Sequence, residues 1–211
     1  SIEFLNNTLR SVNNIKLKTT PIERVEYVIW TGEQLIILWE KKIKNDRALS
    51  YQVINKNGRT SAKTFLGNLE NCFSNYLKEH QVEIIKSPNN ENFGFIINDI
   101  YSKKYSGKDA KYLEFIALFD KDGKLLDKQK NAYKTFQQLD GFHFLTNEAQ
   151  YLKFSSNASK KQILVTKKDL IEKQKEVIKL NLEIPNSVQI ISYRIEFNPF
   201  QNNYTYISTT K

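Results

Sequence analysis

The sequence lacks methionine altogether, and it contains one cysteine, four prolines and seven glycines. A single cysteine excludes an internal disulfide and a structural zinc site built on two or more cysteines. With so little glycine, none of the motifs GxGxxG, GxSxG and the P-loop occurs. No apolar run approaches the ~20 residues that a membrane-spanning helix needs. The sequence therefore predicts a soluble protein and offers no catalytic, metal-binding or cofactor-binding residues.

The first residue is Ser1 rather than methionine. We expect that an initiator, a targeting segment or an upstream domain has been lost, and the sequence does not distinguish these alternatives. Removal of a signal peptide would favour an extracytoplasmic location. The compartment and the completeness of the chain stay open at this point.

Positive charge is in excess, with a formal net charge of +9. The arginines are few: Arg10, Arg24, Arg47, Arg59 and Arg194. The remaining cations are lysines, in a chain that is also rich in asparagine and isoleucine. Because arginine is the residue that forks onto phosphates and base edges, this composition favours solvated lysine surfaces over a dedicated site for a polyanion.

Short runs of β-branched, aliphatic and aromatic residues recur along the chain and indicate strands. The first copy has them at residues 25–30, 35–40 and 48–54. The second copy has them at residues 82–85, 93–97 and 112–119, and the third at residues 142–145, 150–154 and 162–166. A partial fourth copy covers residues 188–197 and 204–208. The pattern predicts one domain or repeat array over residues 1–211, with approximate repeats at 22–80, 81–140, 141–180 and, in part, 181–211.

The first two copies end in the same kind of turn. Residues 55–58 read Asn-Lys-Asn-Gly, and residues 120–123 read Asp-Lys-Asp-Gly. Asparagine or aspartate followed by glycine suits a hairpin in which glycine takes the positive-φ position. In the third copy, Lys-Lys-Asp at residues 167–169 replaces this turn. The aspartates at 120–123 lack the spacing of a calcium-binding EF-hand loop.

Segments between the copies carry helix-like spacing. Apolar residues from Phe65 to Leu77 fall on one face, which predicts a helix over residues 62–79. A shorter helix is predicted at residues 131–139. Residues 168–180 fit either a helix or the strand that follows the preceding turn.

The strand pair at residues 35–40 and 48–59 resembles the inner strands of a β-propeller blade. In such a blade, an apolar strand ending in Trp-Glu is followed by, and pairs with, a strand of the form Tyr-x-Val-x-x-x-x-Gly. Residues 93–97 and 115–124 are similar. The resemblance implies a mainly β fold, a repeated antiparallel meander that is propeller-like and small or partial, because the chain is too short for more than roughly four blades. A four-bladed disc, a fragment of a larger propeller and a curved meander all stay open.

The predicted helices support a rival architecture. Three strands followed by a helix, repeated, would give an α+β protein with helices on one face of an antiparallel sheet. That order of elements is similar to PUR-type and Whirly-type single-strand-binding proteins, although none of their sequence signatures occurs here.

The histidine, cysteine and acidic residues that could be catalytic do not form a recognisable catalytic motif in the sequence. His143 lies in an alternating strand run, so we expect it to be exposed or half-buried. His80 closes the predicted helix that carries Cys72, but the two lie about 12 Å apart along such a helix, and Cys72 is expected to pack in the core. Glu40 ends a strand as in a restriction-type nuclease site, but no aspartate precedes Asp46 to share a metal.

These observations lead us to expect a non-enzymatic protein-interaction or assembly scaffold module, whose partner is another protein or a larger complex. One alternative is a nucleic-acid-binding β-sheet protein that uses lysines and exposed aromatics. Another is a carbohydrate-active or nuclease-like enzyme whose acidic pair comes from distant strands. The candidate binding residues are Trp30, Trp39, Tyr101, Lys103, Lys104 and Tyr105. No cofactor is predicted.

Overall fold

The structure is a computed structural model of the 211-residue chain. It describes residues 2–5, 11–17, 19–44, 46–69, 81–101, 111–133, 141–157, 162–182, 190–198 and 203–210. Cys72, His80, Lys103, Lys104 and Tyr105 lie outside these ranges.

All regular structure in the described residues is β-strand. The strands are β1 (Ile2–Leu5), β2 (Ser11–Ile15), β3 (Glu23–Trp30), β4 (Gln34–Ile43), β5 (Asp46–Asn55), β6 (Thr64–Leu69), β7 (Gln81–Lys86), β8 (Asn92–Tyr101), β9 (Lys111–Asp120), β10 (Leu125–Tyr133), β11 (Phe142–Leu145), β12 (Gln150–Asn157), β13 (Gln162–Asp169), β14 (Lys175–Asn181), β15 (Ile190–Asn198) and β16 (Asn203–Thr210). Accordingly, no helix of the described part is long and apolar enough to cross a membrane.

The strands form antiparallel sheets in chain order. Strands β3 to β6 form sheet 1, β7 to β10 form sheet 2, and β11 to β14 form sheet 3, each with sequential neighbours paired. Strands β1 and β2 form an N-terminal hairpin, and β15 and β16 form a C-terminal hairpin. The prediction of a mainly β, antiparallel meander is therefore confirmed.

The helix predictions are wrong wherever the structure describes them. Within residues 62–79, the stretch Thr64–Leu69 is strand β6, which pairs with β5. Pairing with the free edge of β5 provides hydrogen-bond partners for the backbone of residues 64–69 and buries Leu66 and Leu69. These gains outweigh the helix preference indicated by the spacing of the apolar residues. Residues 131–133 end strand β10, and residues 175–180 lie in β14, as the strand alternative predicted.

Consecutive sheets pack face to face and share apolar cores. The first junction, between sheets 1 and 2, contains Ile29, Ile36, Leu38, Leu49, Phe93, Phe95, Phe115 and Phe119. The second junction, between sheets 2 and 3, contains Ile85, Ile96, Ile116, Leu118, Leu145, Tyr151 and Leu170. A third junction joins sheet 3 to the C-terminal hairpin through Leu152, Phe154, Ile163, Val165 and Ile195.

The two predicted glycine turns are built alike. Asn55 Oδ1 accepts hydrogen bonds from the backbone N–H groups of residues 57 and 59, at 3.1 and 2.9 Å. Asp120 Oδ1 accepts the equivalent bonds from residues 122 and 124, at 3.0 and 2.9 Å. Gly58 and Gly123 take positive φ angles of 79° and 76°. Both predicted hairpin turns, with glycine at the positive-φ position, are therefore observed.

The third turn differs from its sequence prediction. Strand β13 runs on to Asp169, so the turn covers residues 169–174 rather than 167–169. Asp169 Oδ1 accepts the N–H groups of Ile171 and Glu172, both at 2.8 Å. Lys173 takes the positive φ, at 63°. A longer turn thus preserves the aspartate anchor without glycine.

A charged group is fully buried in the second junction. Glu114 has a side chain with no exposed surface, and Lys153 Nζ lies 2.5 Å from its Oε1. Tyr133 and Asn131 donate to its Oε2 at 2.8 and 2.9 Å. Burial alone would raise the pKa of Glu114, but the charge of Lys153 and these hydrogen bonds outweigh burial and leave the pKa lowered.

His143 belongs to the same network, and the expectation that it is exposed or half-buried is wrong. Its side chain has no exposed surface, and its Nε2 lies 3.6 Å from Glu114 Oε1. Its Nδ1 and the Tyr151 hydroxyl share a 2.7 Å hydrogen bond. Burial lowers the pKa of His143 to about 4, so the ring is neutral. Strand β11 is packed on both faces. Although His143 points away from the neighbouring phenylalanines, its side chain is therefore still buried.

Removing the cation from this network should destabilise the protein strongly. Lys153→Met leaves the Glu114 carboxylate buried without a countercharge, which typically costs ~3–5 kcal/mol. The double variant Lys153→Met with Glu114→Gln should recover much of that loss, because the amide needs no countercharge. Urea unfolding at pH 7 measures both. A double variant that loses as much as the two single variants together would contradict this account.

Candidate ligand-binding cleft

An open cleft of about 440 Å³ lies where sheet 1 meets the 120–124 turn of sheet 2. It is lined by Gln34, Tyr51, Val53, Asn55, Arg59, Thr60, Ser61, Thr64, Asp122, Gly123 and Lys124. Both repeated turns therefore contribute to it: the first supplies Asn55 and Arg59, and the second supplies Asp122 to Lys124. We call it the first-junction cleft.

Close packing holds the second turn against sheet 1. A Cβ atom added to Gly123 would lie 2.7 Å from Val53 Cγ2, so only glycine allows this approach. Thr31 Oγ1 donates to the carbonyl oxygen of Lys121 at 2.8 Å. The rings of Tyr51 and Phe119 meet edge to face, with centroids 4.8 Å apart. This wall of the cleft is therefore fixed by contacts between the two sheets.

Hydrogen bonds fix the opposite wall, the segment after the first turn. The N–H of Ser61 donates to the Val53 carbonyl at 2.8 Å, and Ser61 Oγ accepts the N–H of Val53 at 3.0 Å. Gln52 Nε2 donates to the Ser61 carbonyl at 2.8 Å. The backbone of Arg59 is tied to Asn55 on both its N–H and carbonyl sides. The site is thus largely preformed.

Ionised side chains of the cleft are left without ion pairs among the described residues. These are Arg59, Lys124 and Asp122. The other lysines of the same turns are engaged: Lys56 pairs with Glu33 at 2.7 Å, and Lys121 pairs with Glu91 at 2.8 Å. The cleft therefore has two available cations against one carboxylate.

This arrangement suits an anion that also carries hydroxyl groups. A guanidinium binds carboxylate or phosphate oxygens with two parallel hydrogen bonds, and an ammonium adds a point charge. Thr60, Thr64 and Tyr51 supply hydroxyl groups along the same cleft. Asp122 can accept a hydrogen bond from a ligand hydroxyl, and it disfavours a second negative charge nearby.

Of the candidate residues predicted from the sequence, Trp30 and Trp39 are not among the residues that line this cleft. Trp30 is 44% exposed at the end of β3, whereas Trp39 is 1% exposed. Lys63 Nζ lies 3.6 Å above the Trp39 ring. The Trp39 indole is therefore covered by other residues of sheet 1 and does not form a binding surface. Tyr101 ends β8, and binding by Tyr101 and Trp30 stays a prediction. The Asx-Lys-Asx-Gly turns that line the cleft could be recognised in the sequence. The sequence did not show which sheet each turn packs against.

No family model and no curated protein matches the chain. Solved structures with some similarity are forms of an apocarotenoid oxygenase (ACO) from Synechocystis. A cobalt-substituted form has a TM-score of 0.36 and 10% identity, covering 84% of this chain and 47% of that chain. A mutant form has a TM-score of 0.37 and 10% identity, covering 98% and 55%. A chimera of ACO with RPE65 has a TM-score of 0.35 and 10% identity, with the same coverage as the mutant. This chain spans about half the length of these structures.

These structures correct the expectation of a non-enzymatic scaffold. That expectation rested on the repeat and on the lack of a convergent set of polar residues in the sequence, whereas the solved structures with some similarity to the chain are those of an oxygenase. The scaffold assignment is therefore withdrawn. The likeness is too low to carry an activity to this chain. Nor does any group of three or more His, Cys, Asp or Glu side chains in the described ranges fit a metal ion.

The close approach of Gly123 to Val53 should make Gly123→Ala lose more unfolding free energy than Gly32→Ala. Gly32→Ala adds a Cβ at positive φ with no atom within 4 Å, so only the backbone strain of ~1–2 kcal/mol is expected. Gly123→Ala should lose a further ~1–3 kcal/mol from overpacking against Val53. Val53→Ala in the Gly123→Ala background should recover part of that excess. Equal losses for the two glycine variants in urea unfolding would contradict the docking of the turn.

Proposed function

We propose that repeats 22–80, 81–140 and 141–180 are propeller-type blades, and that the cleft between the first two binds a small anionic ligand. The class of ligand is a carboxylate or a phosphate ester with hydroxyl groups. The observation that supports this most is that Arg59 and Lys124, which have no ion pair within the described ranges, are contributed to one cleft by two separate turns.

The size and rigidity of the cleft support a small molecule. Ligand sites commonly occupy ~300–1,000 Å³, and this cleft has about 440 Å³. Both walls are tied by backbone hydrogen bonds or close contacts, so little ordering entropy is lost on binding. A protein or nucleic acid partner, as expected from the sequence, stays a prediction on which this proposal does not depend.

The second junction explains why only the first is assigned a ligand. At the corresponding place, Lys173 Nζ donates to the carbonyl oxygen of Leu126. Lys168 Nζ pairs with Asp127 at 2.8 Å. The cations of the third turn therefore satisfy groups of the protein itself, whereas Arg59 and Lys124 have no such partners in the described residues.

Inorganic phosphate is a direct probe of the cleft. In titrations followed by amide chemical shifts, residues 51–64 and 120–124 should respond together. Arg59→Gln should weaken binding by about tenfold or more, because hydrogen bonds to charged groups contribute ~1.5–3 kcal/mol.

Lys56→Gln is the matched control. It removes one positive charge from the same turn, but Lys56 is paired with Glu33 and does not line the cleft. The control should therefore bind phosphate nearly as the unaltered protein does. If Arg59→Gln and Lys56→Gln weaken binding equally, the effect is general attraction to a basic protein and the proposed site is wrong.

A further inference from the structure

The third junction packs sheet 3 against a hairpin of only two strands. Strand β15 contacts β11 as β11 contacts β7, so β15 holds the place of the first strand in a fourth sheet. Strand β16 pairs with β15 and holds the second place. Among the described strands, β15 and β16 pair only with each other. The fourth sheet is therefore half complete in a single copy of the chain.

The sequence of β15 supports this assignment of strand places. Residues 194–196 read Arg-Ile-Glu, and residues 24–26 of β3, the first strand of sheet 1, read Arg-Val-Glu. In both strands the arginine and the glutamate form an ion pair. Ile195 packs toward sheet 3, and Val25 likewise packs on the face of sheet 1 that points away from sheet 2. Strand β15 is thus built as the first strand of a sheet.

The half-complete sheet leaves the outer strand of sheet 3 uncovered. Ile178 and Leu180 of β14 pair with Val165 and Ile163 of β13, so these four residues share the face that points toward the third junction. Val165 and Ile163 are buried in that junction. By contrast, Ile178 is 36% exposed and Leu180 is 45% exposed. An apolar surface at β14 therefore continues the core of the third junction into solvent.

Strand β6 shows what a complete sheet does at the same place. It is the fourth strand of sheet 1, as β14 is of sheet 3. Its Leu66 and Leu69 face the first junction, where all four strands of sheet 2 are present, and they are 2% and 1% exposed. The exposure at β14 therefore corresponds to the third and fourth strands that the hairpin does not supply.

The N-terminal hairpin has the complementary strand places. The fourth strand of each sheet leads along the chain into the first strand of the next, β6 into β7 and β10 into β11. Strand β2 leads into β3 in the same way, so β1 and β2 hold the third and fourth places of a sheet that precedes sheet 1. Among the described strands, these two also pair only with each other. The two hairpins together therefore supply one four-stranded sheet.

We infer that the chain forms a two-fold dimer in which β15 and β16 of one copy pair with β1 and β2 of the other. Each composite sheet has the order β15-β16-β1-β2, with β16 and β1 antiparallel. A second copy is the occupant because β16 and β1 of the same copy are not paired. The exchange is reciprocal, so two composite sheets form and the dimer closes on itself. The β2 strand of the second copy then covers Ile178 and Leu180.

Sedimentation equilibrium of the intact chain tests the dimer. Leu180→Lys should weaken dimerisation by about tenfold or more, because the lysine charge would be buried beneath a strand of the second copy. Ile171→Lys is the matched control, since Ile171 is 74% exposed in the 169–174 turn, beyond the strands that pair. Neither side chain is buried in a single copy, so both variants should stay folded. A monomeric unaltered chain, or equal weakening by the two variants, overturns the inference.

A mixture of isotope-labelled and unlabelled chains identifies the strands that pair. Isotope-filtered NOE spectra select contacts between copies, and we expect backbone contacts between residues 203–210 of one copy and residues 2–5 of the other. Contacts between these strands within one chain would mean that the chain closes on itself. That result, or a dimer without contacts between these strands, overturns the inference.

Discussion

The close approach of the 120–124 turn to Val53 is the contact on which the first junction depends. Gly123 combines a positive φ with a space that no Cβ could occupy. The same approach brings the Lys121 carbonyl to Thr31 and the Phe119 ring to Tyr51. The docking of this turn on sheet 1, and with it one wall of the cleft, therefore depends on one glycine.

The two main junctions both pack one sheet against the next, but they differ in how their charged side chains are paired. In the first, arginines balance the acids and the turns leave two cations facing an open cleft. In the second, Lys153 pairs with Glu114, Lys168 pairs with Asp127, and Lys173 donates to the Leu126 carbonyl oxygen. The first junction is therefore the one that leaves cations for a ligand.

The sequence predicted what depends on local pattern. Strand alternation and the Asx-Lys-Asx-Gly turns are set by near neighbours, and both were found. The segment at 64–69 was misassigned because its helical spacing is local, whereas pairing with β5 is not. The same reason explains the burial of Trp39 and His143 and the importance of Arg59: each depends on which sheet lies opposite, which a single sequence does not encode in any short pattern.

The most direct measurement is the position of an anion in the cleft. Crystals of the intact chain soaked in selenate, an anomalous scatterer that mimics phosphate, would locate the bound oxyanion without reference to activity. We expect an anomalous peak contacting Arg59 and Lys124, and loss of that peak in Arg59→Gln but not in Lys56→Gln. A peak that persists in Arg59→Gln, or an empty cleft beside peaks on other lysines, would contradict it.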